Sequence, residues 1–421
     1  MKRLFLLVIA SIAAFGVQAQ DVKAIKKLVD AKDLVKAKDA VDQFLATDKG
    51  SKDLEALFLK AKIYTTLASD EATKSLVPDG RMQAFDAIKK AFETNNSIAT
   101  FMLAQEKYKP VFNLYEGYYG EGANFFNAEK YEDAFNSYKK ANVIGQYINQ
   151  NGWALSALDT GLVFMIGASA NNAKKLDDAA VYYAKLADAH VVNKDYLPAY
   201  KFLIYYYSEK KDDASFTKYL ETGKKAYPNE KYFDEAEIEY LEKKGDKAGA
   251  LKKYEEIIAK DPNDYDNTFY YGVAIFNMLY KGDEKIDNKD ELTAKLEKAF
   301  IKCTQLKPEE SEAYLELGKS HYNQAVDFKD KADQIKPPAG KALTPDQQKT
   351  KNEIKANAEK KINDAIPYLE KAFNIMDAIP DKKTGQKAKQ RSVAILLRDA
   401  YNFINKADKA KVYEAALDRL K

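Results

Sequence analysis

The segment DKAGALKKYEEIIAKDPNDYD, Asp246 to Asp266, returns in degraded form along nearly the whole chain at a spacing of about 34 residues. Within it Ala250, Tyr254 and Ile257 fall at helical spacing, and Pro262 ends the element because proline lacks the N–H that continues the ladder. Pro228 closes the unit one period earlier, and DTGLVFMIGASANNAKKLDDAAVYYAKLADAH, Asp159 to His190, carries the same layout. A fixed period of this size predicts stacked helix hairpins. Each is too small to cover its own apolar face and is covered by its neighbours.

YLELGKSHYNQA, Tyr314 to Ala325, places Tyr314, Leu317 and Gly318 at the spacing of the W-x2-L-G signature, and NAEKYEDAFNSYKKAN, Asn127 to Asn142, adds Tyr131, Ala134, Tyr138 and Ala141. These segments resemble the first helix, and the turn plus second helix, of a tetratricopeptide repeat (TPR). The resemblance implies an all-α fold: an α-solenoid, wound as a right-handed superhelix, of TPR-like helix hairpins. Seven units are expected between Leu54 and Leu420, with irregular spacing and with several units lacking the large aromatic of the first helix. Gly122, Gly167, Gly272 and Gly318 are expected mid-helix, where each costs about 1 kcal/mol relative to Ala. Close approach of the second helix is expected to offset that cost.

At the N-terminus, Lys2 and Arg3 precede an apolar run from Leu4 to Phe15 and then Val17, Gln18 and Ala19, the pattern of a secretory signal peptide. Cleavage after Ala19 is expected, with Gln20 as the first mature residue. The run is too short for a membrane span of about 20 residues, no later segment qualifies, and no Cys follows the cut to carry a lipid. The expected organisation is a signal peptide at 1–19, an N-terminal helical segment at 20–53 and a solenoid at 54–421, in a periplasmic protein with no integral membrane segment.

Composition narrows the partners. The chain carries 67 Lys plus Arg against 64 Asp plus Glu, and removal of Lys2 and Arg3 leaves 65 cations. Near-neutrality argues against nucleic acid, which needs a clustered basic face. The 29 tyrosines, against one Trp, suit half-buried surfaces between helices. Cys303, alone in the chain, reads as a small buried apolar residue, so no internal disulfide is possible.

The stretch TTLASDEATKSLVPDG between Ile63 and Arg81, and Lys281 to Leu292, widen two units, and a longer insertion runs from Asp327 to Asn363. Its arms are rich in helix formers around Pro337-Pro338-Ala339-Gly340, which predicts a projecting antiparallel hairpin over 327–363 with its tip near Pro337 to Pro345; a disordered loop is the alternative. Arg398, Lys406, Lys409 and Lys411 give the last hairpin the polar face of a terminal cap.

Catalytic signals are sparse. His190 and His321 belong to no metal spacing, and His321 is expected as a packed core residue. Gly117, Gly120 and Gly122 follow no strand and form no phosphate loop, and Asp261, Asp264 and Asp266 lack the Gly and distal Glu of a calcium loop, reading instead as helix caps. No enzyme activity, metal or cofactor is expected.

Surface chemistry remains. If the first helix of each hairpin lines a concave groove, Tyr119, Phe126, Phe164, Tyr205, Phe269, Phe276, Lys319 and Tyr322 face it, an aromatic stripe suited to a protein or peptide partner. Asn127, Asn172, Asn277 and Asn323 recur near the end of that helix, either to bond a bound backbone or simply to end the helix in the left-handed conformation. The expected function is a non-enzymatic scaffold that binds protein partners; glycan or nutrient capture through the aromatics is the alternative. The richest stretch is expected around Phe269, Phe276, Asn277, Lys319 and Tyr322. A register error of one residue turns a helix by about 100° and exchanges groove for core.

Overall fold

The computed structural model describes residues 21–153, 155–282, 286–337 and 342–420. The signal peptide read at 1–19 lies outside them, as do 283–285 in the second insertion and 338–341 in the tip of the third. The described chain is helical throughout, with nineteen α-helices and no strand, and divides into two compact units at Glu230 and Lys231.

The first unit holds α1 (Val22–Asp30), α2 (Leu34–Leu45), α3 (Leu54–Ser69), α4 (Gly80–Thr94), α5 (Asn96–Gln105), α6 (Lys109–Asn127), α7 (Tyr131–Gln150), α8 (Thr160–Asn172), α9 (Leu176–Asp188), α10 (Leu197–Lys210) and α11 (Asp213–Ala226). The second holds α12 (Tyr232–Lys243), α13 (Lys247–Lys260), α14 (Tyr265–Tyr280), α15 (Lys289–Leu306), α16 (Ser311–Gln334), α17 (Pro345–Asp377), α18 (Thr384–Phe403) and α19 (Ala407–Arg419). Apart from α5 they pack as consecutive hairpins. Eight hairpins fall between 54 and 420, one more than the seven expected. The first helices of three of them, α3, α10 and α12, contain no glycine, so those hairpins carry less of the motif.

Local chemistry fixes where the helices start and turn. Asp33, Asp53, Asp159, Asp212, Asp246 and Asp264 each accept a hydrogen bond from a backbone N–H of the first turn they precede. Asp264 is thus the cap expected from its sequence. Six hairpins turn through one residue at positive φ: Lys32, Glu129, Lys174, Lys211, Gly245 and Asn405. Only one of the six is glycine. Asn127 and Asn172, read as candidates for that conformation, lie two residues before it, at the last helical positions of α6 and α8.

The four mid-helix glycines are contact points. A Cβ would stand 2.7 Å from the Tyr138 ring at Gly122, 2.6 Å from Tyr183 at Gly167, 2.7 Å from Phe300 at Gly272 and 2.7 Å from the Leu369 side chain at Gly318. In each case the first helix has no side chain where the second presses a large one into it. This is the close approach that offsets the helix-propensity cost.

Tyrosines tie four of the hairpins to the one before. Tyr64 on α3 donates to Asp42 on α2 at 2.5 Å, Tyr206 on α10 to Asp177 on α9 at 2.5 Å, Tyr271 on α14 to Glu255 on α13 at 2.6 Å, and Tyr401 on α18 to Glu370 on α17 at 2.7 Å. Burial, and then the carboxylate, push the Tyr64, Tyr271 and Tyr401 hydroxyls well above their usual range. A first-helix ring therefore packs on the joint while its hydroxyl locks to a second-helix carboxylate, which gives the abundance of tyrosine a structural use.

The long insertion is occupied by the ends of two helices. α16 runs to Gln334 and α17 starts at Pro345 behind a Thr344 and Gln347 capping box; the Lys351 amine donates to the Ile335 carbonyl at 3.2 Å across the pair. Ala332, Ala358 and Ile362 are buried along these arms, so small apolar residues close their contact. α17 continues unbroken through Pro367 into the second helix of its hairpin.

Candidate binding groove on the first unit

The sequence candidates divide by environment. Phe276 is 7% exposed, belongs to the core around Ile275, Leu296 and Phe300, and packs at 5.0 Å on Tyr280. It is core, not groove floor, and the correction is the one-residue register exchange noted above: position 276 faces the partner helix. Phe269 is half-buried against the same core, with ring contacts to Tyr265 and Phe300. Half-buried Tyr119 leans on buried Tyr138, half-buried Phe126 on Tyr131, and half-buried Phe164 on both Tyr196 and buried Tyr183, all within the first unit. Tyr205 is open, at 55% exposure, and Asn127, Asn172 and Asn277 are exposed as well. In the second unit Lys319 pairs with Glu316 on its own helix at 2.7 Å, Tyr322 packs beside the core of α17 and α18, and Asn323 is half-buried. These residues do not converge on one open site.

The histidines and the cysteine are structural. His321 is 8% exposed, stacks on Tyr368 at 5.7 Å and faces Glu297 at 3.4 Å; burial holds its imidazole below the usual value, with Glu297 opposing. Cys303 is fully buried, and burial pushes its thiol up to about 12. His190 is an exposed turn residue at positive φ.

One open cavity, of about 480 Å³, lies between α9 and α10 and includes Tyr205 with Asp177, Tyr206 and Lys210; a longer run of concave space follows α3. There, one cavity of about 350 Å³ is walled by Lys26, Val29, Glu55, Phe58, Leu59 and Met102. A second, of about 270 Å³, continues it past Thr65, Lys109, Pro110 and Asn113, and the two share Phe58, Lys62 and Glu106. The floor is therefore one face of α3, with α1 on one side and α5 and the start of α6 on the other. Lys26 pairs with Glu55 across the α1 end.

The wall at α5 is the feature that sequence reading missed. This helix stands outside the hairpin alternation. Asn95 caps it by accepting from the Ile98 N–H at 3.1 Å, and Lys107 and Tyr108, both at positive φ, turn the chain into α6. Ala99 and Leu103 are its buried face, while Tyr108, Trp153 and Phe92 form a ring cluster that braces both its ends. Its opposite face stays open: Ile98 is 49% and Phe101 63% exposed, and Met102 and Gln105 line the cavity. Positions 98, 101, 102 and 105 follow the i, i+3, i+4, i+7 pattern of a single stripe. The signal was in the sequence as NSIATFMLAQ, apolar on two faces where a solvent-facing helix needs one. No helix among the described residues is long and apolar enough to cross a membrane.

No protein-family model matches the chain, and a search of curated proteins returns no match either. Among solved structures it is similar to the C-terminal part of a TPR repeat-containing protein from Cytophaga hutchinsonii, at 16% identity over 72% of this chain and 96% of that one, with a TM-score of 0.43. It is also similar to a TPR repeats protein from Bacteroides fragilis, at 19% identity over 67% and 98% of the two chains and a TM-score of 0.30, and to the TPR2AB domain of yeast Sti1, solved as a pHSP90 complex, at 12% identity over 62% and 98% and a TM-score of 0.22. The internal geometry is of the same kind: in four hairpins a glycine of the first helix seats a large side chain of the second, and the fold is a series of TPR-like helix hairpins.

Proposed function

We propose that this protein is a non-enzymatic interaction scaffold that holds a polypeptide partner in the α3 groove, with the apolar stripe of α5 as its principal anchor. The observation that carries the reading is the exposure of Ile98 and Phe101 on a helix whose next turn lines the groove. An unburied Phe and Ile side by side are costly to leave in water and suit a partner that covers them. The groove supplies the rest of a peptide site. Phe58, Leu59 and Val29 offer apolar area, and Lys62, Glu106, Lys109 and Asn113 offer polar contacts on both sides. Glycan capture would need open aromatic platforms, and of the aromatic candidates read from sequence only Tyr205 is largely open.

The reading includes export. The segment Lys2 to Ala19 supports cleavage after Ala19 and action in the periplasm or cell envelope. N-terminal sequencing of the cell-derived protein is expected to begin at Gln20; a sequence beginning at Met1 overturns this part. The groove is tested by affinity capture with Ile98→Asp plus Phe101→Asp against Tyr270→Asp, an equally open aromatic of the second unit at 57% exposure. Loss of the same partner only in the first variant, at unchanged melting temperature, supports the groove. Equal retention by both removes it.

A further inference from the structure

A second surface lies at the start of α18. Residues 382–391 read KKTGQKAKQR, five cations with no acid among them. Two of the five are engaged at home. The Lys382 amine donates to the carbonyls of Asp377 and Ile379, at 3.0 and 2.8 Å, at the end of α17, and Lys389 pairs with Glu312 at 2.6 Å. Asp377 in turn accepts from Gln390 at 2.7 Å and from Arg419 at 2.9 Å. The acids within reach are therefore taken, and Asp381, in the turn before the helix, pairs with none of the remaining cations.

Those remaining are Lys383, Lys387 and Arg391, all exposed and none in an ion pair. Lys387 and Arg391 stand four residues apart on one face of α18, about 6 Å apart along its length, and Lys383 is the N-cap residue before them, with extended backbone just outside the helix. The positive end of the helix dipole adds to the two that lie in its first turns. Like charges at this spacing repel one another by a few tenths of a kcal/mol per pair. The fold gains nothing from this row of charge.

We infer that this face of α18 is a docking strip for an acidic polypeptide segment that presents carboxylates at about 6 Å intervals, the spacing of Glu four residues apart on a helix. A pair of cations on one helix face, Lys387 and Arg391, preceded by Lys383 at the N-cap and with Arg391 able to grip a carboxylate with two donors, fits a segment with its own periodicity better than it fits a flat anionic surface. The strip lies in the second unit and is independent of the α3 groove.

The test uses the full mature chain and a labelled alanine-based helical peptide with Glu at every fourth position, read by fluorescence anisotropy. Binding to wild type is expected to weaken as salt rises. The variant Lys383→Gln, Lys387→Gln, Arg391→Gln is expected to bind about tenfold more weakly at low salt and to melt at the wild-type temperature. A control, Lys406→Gln, Lys409→Gln, Lys411→Gln, removes the same charge from the neighbouring cap and is expected to bind as wild type does. Equal weakening in both variants means that net charge alone acts and overturns the strip. So does absence of binding to wild type. Vesicles of equal parts phosphatidylcholine and phosphatidylglycerol form the last arm: retention there, sensitive to the same three residues and stronger than peptide binding, replaces the acidic polypeptide with a membrane surface.

Discussion

Gly167 seats the ring of Tyr183: a Cβ at position 167 would lie 2.6 Å from Tyr183 Cε1, and that ring is itself 3% exposed with nowhere to withdraw. Two effects oppose each other in Gly167→Ala. Helix propensity gains about 1 kcal/mol, while overpacking a closed core costs about 1–3 kcal/mol. The buried ring decides for the second, so denaturant titration is expected to show net destabilisation. Gly120→Ala on α6, with nothing within 4 Å of its Cβ, is expected to stabilise by about 1 kcal/mol. Stabilisation by both would mean that the close packing contributes nothing.

The tyrosine ties predict a pH signature. The hydrogen bond from Tyr271 is the first cause holding the Glu255 carboxyl below its usual range; burial opposes, and Lys295 assists. Because the folded value is depressed, the stabilisation is present above the ordinary glutamate value of about 4.3 and is lost as pH falls through the folded value. Tyr271→Phe is therefore expected to cost about 1 kcal/mol at neutral pH. The gap to wild type should narrow in titrations carried below the carboxylate range. A gap independent of pH would show that the ring, not the hydroxyl, supplies the tie.

Phe276 and Tyr205 were read from sequence as equals and are not. Phe276→Ala is expected to cost about 3–5 kcal/mol by emptying a core site, whereas Tyr205→Ala should leave stability within about 0.5 kcal/mol. Similar melting temperatures for the two variants would contradict the burial assignment.

The hairpins were legible because their signal is periodic and backed by strong local chemistry: proline stops at Pro228 and Pro262, aspartate caps such as Asp264, and glycines such as Gly318 that only close packing explains. The groove was not. Assigning faces needs the register of each helix to within one residue, and Phe276 shows what that error does. The left-handed turn positions were hidden because Lys32, Glu129, Lys174 and Lys211 stand where glycine is the usual marker. The tyrosine ties join residues on successive hairpins, such as Tyr206 and Asp177, and only packing reveals their partners. α5 carries no periodic signal, since ten residues between two hairpins have no period of their own.

Cys303, fully buried with its thiol pushed up to about 12, is expected to resist alkylation by iodoacetamide in the folded protein at neutral pH and to react on unfolding in guanidinium. Rapid labelling under native conditions would place it outside the core.

A photo-reactive phenylalanine analogue at position 101, activated in intact cells, tests the groove most directly, with a second chain carrying Phe58→Asp in the floor. The account predicts a defined polypeptide cross-link from position 101 that disappears when Phe58→Asp is present. No polypeptide cross-link, or one that survives the charge in the floor, would contradict it.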